Sequence, residues 1–113
     1  MKDEQVYLLH IRDAIDRILN YTQEGRDAFL GDPMTQDAVL RNMEILGEAS
    51  KRVSEPLREH APDLPWRQMA GMRDKLIHDY FGVDLHLVWE VVASELPGAR
   101  ERVAALLDEL ENE

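Results

Sequence analysis

The chain has 113 residues, 44% of them hydrophobic, no cysteine and a formal net charge of −10. That length suits one domain with one core, and the lack of cysteine excludes a disulfide framework and a thiolate metal site. The acidic balance argues against broad electrostatic binding of nucleic acid, and no apolar run approaches the length of a membrane span.

The opening Met1-Lys2-Asp3-Glu4-Gln5 turns acidic at once and shows no apolar h-region. The expectation is a soluble cytoplasmic protein of one domain, residues 1–113. A first helix is expected from Asp3 to Phe29, because Val6, Leu9, Ile11, Ile15, Ile18 and Leu19 recur mainly at helical spacing. Gly31 stops it. Asp32-Pro33 then starts a second helix, with an N-cap carboxylate and a proline in the first turn. That helix runs to Val53, with Val39, Met43, Leu46, Ala49, Ser50 and Val53 on one stripe. Gly47 in its middle costs about 1 kcal/mol against alanine and implies close approach of another helix.

Ser54-Glu55-Pro56 restarts the chain as a short helix to His60. Ala61-Pro62-Asp63-Leu64-Pro65 is a rigid connector, since each proline restricts itself and its predecessor. A third long helix runs from Pro65 to Asp79, with Met69, Met72, Leu76 and Ile77 toward the core. Phe81-Gly82-Val83 breaks the chain. Asp84 caps a helix that buries Leu85, Val88, Trp89 and Val92. Pro97 begins a final helix, or kinks the same one, with Val103, Leu106, Leu107 and Leu110 apolar. Strand signals are nearly absent, so the fold class is all-α, an antiparallel bundle of four to five helices.

Charge is uneven along this order. Residues 1–40 hold 4 basic and 8 acidic side chains, residues 41–78 hold 7 and 6, and residues 79–113 hold 2 and 9. The middle stretch therefore gathers most of the cations and leads to Met72-Arg73-Asp74-Lys75-Leu76-Ile77-His78-Asp79-Tyr80. Arginine offers a fixed cation with a planar fork of donors suited to phosphate oxygens. Histidine moves protons near neutral pH. Phosphodiester cleavage without a metal needs both. On a helix, five positions place Arg73 and His78 roughly 140° apart. Convergence then requires either that the helix end near His78 or that two protomers share one cleft. Asp74, four residues before His78, is placed to orient the imidazole and favour its charged form. On spacing alone the pattern is weak, and a solvated charged face is the alternative.

Three segments taken together are more specific. Arg41-Asn42-Met43-Glu44-Ile45-Leu46-Gly47-Glu48-Ala49, then Pro65-Trp66-Arg67-Gln68-Met69-Ala70-Gly71-Met72-Arg73 through to Asp84, then Val88-Trp89, resemble the HepT-like toxins of the HEPN superfamily over nearly the whole chain. Arg73, His78 and Tyr80 match all three positions of that family's Arg-x-x-x-x-His-x-Tyr motif. The resemblance implies a metal-independent endoribonuclease, with no cofactor, acting as the toxin of a toxin–antitoxin pair. His78 would serve the ribose 2′-OH and the leaving oxygen, Arg73 the phosphate, and Asp74 a supporting role. The products would be a 2′,3′-cyclic phosphate and a 5′-hydroxyl. It also implies a homodimer with a composite site, an RNA substrate, and an MntA-like nucleotidyltransferase antitoxin that adds AMP to Tyr80. A bulky anion there would block RNA by sterics and repulsion.

The rival readings are a non-catalytic nucleotide- or RNA-binding module on the same fold, and a pure partner-binding bundle. Asn42 and Glu44 either buttress the third long helix or line the cleft. Lys51, Arg52 and Arg67 are candidate RNA-backbone contacts, with ordinary surface charge as the alternative. His86 and Glu90 stand at a metal-ligand spacing but lack a third ligand, so exposed helix residues are expected. Trp66 and Trp89 read as core or interface rather than as platforms for bases, and His10 and His60 as incidental.

Overall fold

The computed structural model describes residues 2–78 and 83–112, with side chains described for residues 4–72 and 83–112. The helices are α1 (Lys2–Tyr21), α2 (Arg26–Leu30), α3 (Pro33–Arg52), α4 (Glu55–His60), α5 (Trp66–His78), α6 (Leu85–Ser94) and α7 (Leu96–Glu111). Among the described residues there is no strand, and the fold is all-α. Five longer helices form the body, and α2 and α4 are short connecting turns. The expected features at Asp79, Tyr80, Phe81 and Gly82 lie outside the described residues.

The first helix is shorter than the spacing predicts. It ends at Tyr21, where the Thr22 hydroxyl turns back to donate to the Ile18 carbonyl at 2.8 Å. Gly25 then takes a φ of 95°. A side-chain-bearing residue resists that conformation, and it separates α2 from α1. Burial also shifts around α1. Leu8, Ile11, Ala14, Ile15 and Ile18 have no exposed surface, whereas Val6 and Leu9 are 42% and 36% exposed. At about 100° per residue, Val6 and Leu9 fall outside the arc centred between Ile11 and Ile18, so not all of the apolar residues at helical spacing share the buried face.

The start signals further along hold. Asp32 accepts hydrogen bonds from the Met34 and Thr35 amides, with Pro33 opening α3. Ser54 caps α4 and also meets α1, its hydroxyl donating to Glu4 at 2.7 Å. Asp84 accepts from the amides of His86 and Leu87 at the head of α6. Pro97 lies in the first turn of α7, where its missing N–H costs nothing, and α7 follows α6 across the single residue Glu95.

α3 is the hub. It packs on both α1 and α5, α1 packs on α7, and α7 packs on α6. Glu4 reaching Ser54 and Arg17 reaching Asn42 show that α1 and α3 run antiparallel. The expected α3 stripe is buried throughout, with Leu46 fully enclosed. Gly47 is buried there too. Two ion pairs that sequence distance conceals close the body. Arg100 donates to Asp16 at 2.9 Å between α7 and α1, and Arg102 donates to Asp63 at 2.6 Å, tying the proline connector to α7.

The Asp32 cap predicts a pH effect. The Thr35 hydroxyl, donating at 2.8 Å, together with the two amides, holds the Asp32 carboxyl below the usual carboxylate range. Because the folded value is the lower one, the cap's contribution is complete above the ordinary carboxylate range and is lost as pH falls through the depressed value. Urea midpoints at pH 7 and pH 3 measure this. Asp32→Asn should lose less stability than wild type over that interval.

Candidate functional site

The frame of α5 is set at its N-terminal end. Trp66 is buried, and its indole N–H donates to the Ala61 carbonyl at 2.9 Å, which fastens the helix start to the proline connector. Met69 is buried one turn later and Met72 packs partly against the core. These contacts fix the roll and direction of α5 over its first half. Arg73, Asp74 and His78 occupy the second half, and His78 is its last residue. Positions 73 and 78 are therefore separated by about 7.5 Å of rise and about 140° of rotation along regular helix. The side chains of Arg73, Asp74 and His78, and Tyr80 as a whole, lie outside the described residues.

The surroundings sort the remaining candidates. Asn42 is buried; its amide donates to the Ala38 carbonyl at 2.9 Å and its oxygen accepts from Arg17 at 3.5 Å. Among the described residues these contacts lie within α3 and toward α1, which is structural support. Glu44 instead stands half-exposed beside Arg41, 3.4 Å away. Lys51, Arg52 and Arg67 are all exposed, and Arg52 pairs with Glu48 at 3.3 Å. Trp66 is core, as expected. Trp89 is half-buried with its ring 5.8 Å from that of Phe29, so it too is packing surface.

His86 and Glu90 are exposed, and no cluster of three metal-ligating side chains occurs among the described residues. The His86 Nδ1 lies 3.1 Å from a guanidinium nitrogen of Arg26.

One feature escaped the sequence reading. Tyr7 and His10 of α1 and Arg41, Glu44, Ile45, Glu48, Ala49 and Arg52 of α3 line a groove of about 520 Å³. The lining is drawn from two helices, mostly from their exposed and half-exposed positions with the buried Ala49 at its floor, so neither helix alone signals a groove. Its trace in the sequence is the outward charged stripe of α3, Arg41, Glu44, Glu48 and Arg52.

Comparison with known proteins adds identity to this geometry. A family model described as Ribonuclease HepT-like matches residues 11–106, which span α5 entirely. A Thermococcus cleftensis protein named "Probable ribonuclease HepT" is 45% identical over 101 residues, covering 88% of this chain and 92% of its own. A Methanocaldococcus jannaschii protein named "Gamma-glutamylcyclotransferase and putative RNase" is 43% identical over 111 residues. That match covers 97% of this chain, which spans 50% of the relative's length. No solved structure matches the chain significantly.

Proposed function

The chain belongs to the Ribonuclease HepT-like family, and from that premise we propose that it is a metal-independent endoribonuclease, the toxin of a toxin–antitoxin pair. One domain, residues 1–113, carries the activity. The observation behind this reading is the family match running through α5, the helix that holds Arg73 and His78 five positions apart.

In the proposed reaction His78 takes the proton from the ribose 2′-OH. The oxygen attacks the adjacent phosphorus, the P–O5′ bond breaks, the 5′-oxygen takes its proton from a His78 imidazolium, and a 2′,3′-cyclic phosphate remains. Arg73 binds the non-bridging oxygens and stabilises their charge as the phosphorus becomes five-coordinate. Asp74 supports the imidazole from four residues earlier. Rotation of about 140° between the two positions suits a cleft between two protomers of a homodimer, each supplying Arg73 and His78.

Tyr80 lies two residues past His78 and is the proposed acceptor of AMP from an MntA-like nucleotidyltransferase. The added phosphate brings negative charge to a site that must bind an RNA phosphate. The test is co-expression with such an enzyme. The chain alone should arrest growth and cleave RNA. With the transferase it should gain one AMP on Tyr80 and lose cleavage, while Tyr80→Phe should stay unmodified and toxic. Full cleavage by the Tyr80-modified protein would contradict this control step. A bare chain that cleaves nothing would contradict the nuclease itself.

A further inference from the structure

From the outer face of α3 we infer the surface through which two copies of this chain meet. The inference rests on the homodimer in the reading above and supplies its interface. Asp37, Arg41, Glu44, Ile45, Glu48 and Arg52 recur at three- and four-residue steps on the side of α3 away from the buried stripe. Asp37, Arg41 and Arg52 are exposed, and the other three are half-exposed. The charges are arranged about the point midway between Glu44 and Ile45. Arg41 and Glu48 stand equally far from it, and so do Asp37 and Arg52 further out.

A second α3 laid antiparallel about a two-fold axis at that point meets opposite charge at both outer pairs, while Glu44, held by Arg41 of its own chain, and Ile45 flank the axis. Arg41 faces Glu48 of the second copy and Glu48 faces its Arg41. Asp37 and Arg52 exchange in the same way. The paired positions span about 22 Å of helix. A surface that complements itself under two-fold rotation is what a closed dimer requires.

The groove supports this occupant over RNA. It sets two arginines beside two glutamates, so it offers a polyanion no net attraction. Its floor of Ile45 and Ala49 and its Tyr7 edge supply apolar surface to cover. Within one chain Arg41 pairs with Glu44 at 3.4 Å and Arg52 with Glu48 at 3.3 Å. Such solvent-exposed pairs are weak, so sharing those charges across the axis costs little.

The placement also bears on the site. Among the described residues α3 packs on both α1 and α5, and those two helices share no comparable packing with each other. A two-fold axis crossing the outer face of α3 sets α5 of one copy opposite α5 of the other. Both helices that carry Arg73 and His78 then border one interface.

Charge reversal tests the register. Arg41→Glu and Glu48→Arg, each purified as the full chain and checked for its helical spectrum, should each weaken the dimer roughly a hundredfold, because each creates two like-charge contacts. Sedimentation should show monomers at concentrations where wild type is dimeric. Mixing the two variants should restore a dimer, since each reversed charge then faces its opposite across the axis. The variant that carries both changes should dimerise alone. Single variants as dimeric as wild type would overturn the inference. So would a monomeric wild type, or one whose groove is filled by an unlike protein. RNA cleavage by the same samples separates the two claims. Cleavage without this charge dependence leaves the nuclease standing and removes the interface. Charge-dependent dimers that cleave nothing do the reverse.

Discussion

His78→Ala should lower the RNA cleavage rate by about a thousandfold while leaving the helical fold and its melting temperature in place. General acid–base catalysis by one positioned side chain typically contributes about 10² to 10⁴, and no other group on α5 past Met72 combines neutral-pH proton transfer with this position. Arg73→Ala should cost about 10² to 10³, the range for removing one donor that stabilises transition-state charge. Arg73→Lys should recover only part of that, because an ammonium keeps the charge but lacks the planar fork. Single-turnover rates on a labelled RNA, beside thermal melts of the same samples, check all three. If the chain is instead a non-catalytic RNA-binding module, wild type and variants will be equally inactive.

Leu46→Ala should be the most damaging single truncation outside the motif, lowering stability by about 2 to 5 kcal/mol. Leu46 has no exposed surface and sits mid-way along α3, the helix that packs on both α1 and α5. Truncating its isobutyl side chain to a methyl leaves a cavity among long helices whose backbones cannot close in without disturbing both interfaces. A domain of this size has a total stability of about 5 to 15 kcal/mol, so this is a large share. Urea unfolding gives the difference directly. Met34→Ala is the matched control: the side chain is 82% exposed on the same helix, and the change should stay within about 0.5 kcal/mol. Loss of cleavage in Leu46→Ala should follow the unfolded fraction, in contrast to His78→Ala.

Much of the fold was legible because local chemistry and burial agree. Asp32, Ser54 and Asp84 cap the helices they precede. The α3 stripe from Val39 to Val53 and the α7 set from Val103 to Leu110 are buried as their spacing predicts. The failures have a common physical source. Apolar residues alone do not fix where an amphipathic face is centred, so the spacing that includes Val6 and Leu9 does not reveal that α1 turns them outward. A glycine inside a polar run does not reveal its backbone angle, so the break at Gly25 was read through. Contacts such as Arg100–Asp16 and Arg17–Asn42 join residues far apart in the chain, and only the packed helices bring them together.

For the site, spacing alone makes Arg73 and His78 a weak pair. The three combined segments pointed to a family, and a family model matching residues 11–106 shows that family; the roles of Arg73 and His78 belong to the proposal. The groove between α1 and α3 was invisible because it is a property of two surfaces, and its charged lining resembles an ordinary solvated face.

The most direct test of the central claim is to incubate the purified chain with RNA in EDTA and map the new termini. The account predicts internal cleavage that leaves 2′,3′-cyclic phosphates and 5′-hydroxyls, absent with His78→Ala. Cleavage that EDTA abolishes, or that His78→Ala retains, would contradict it.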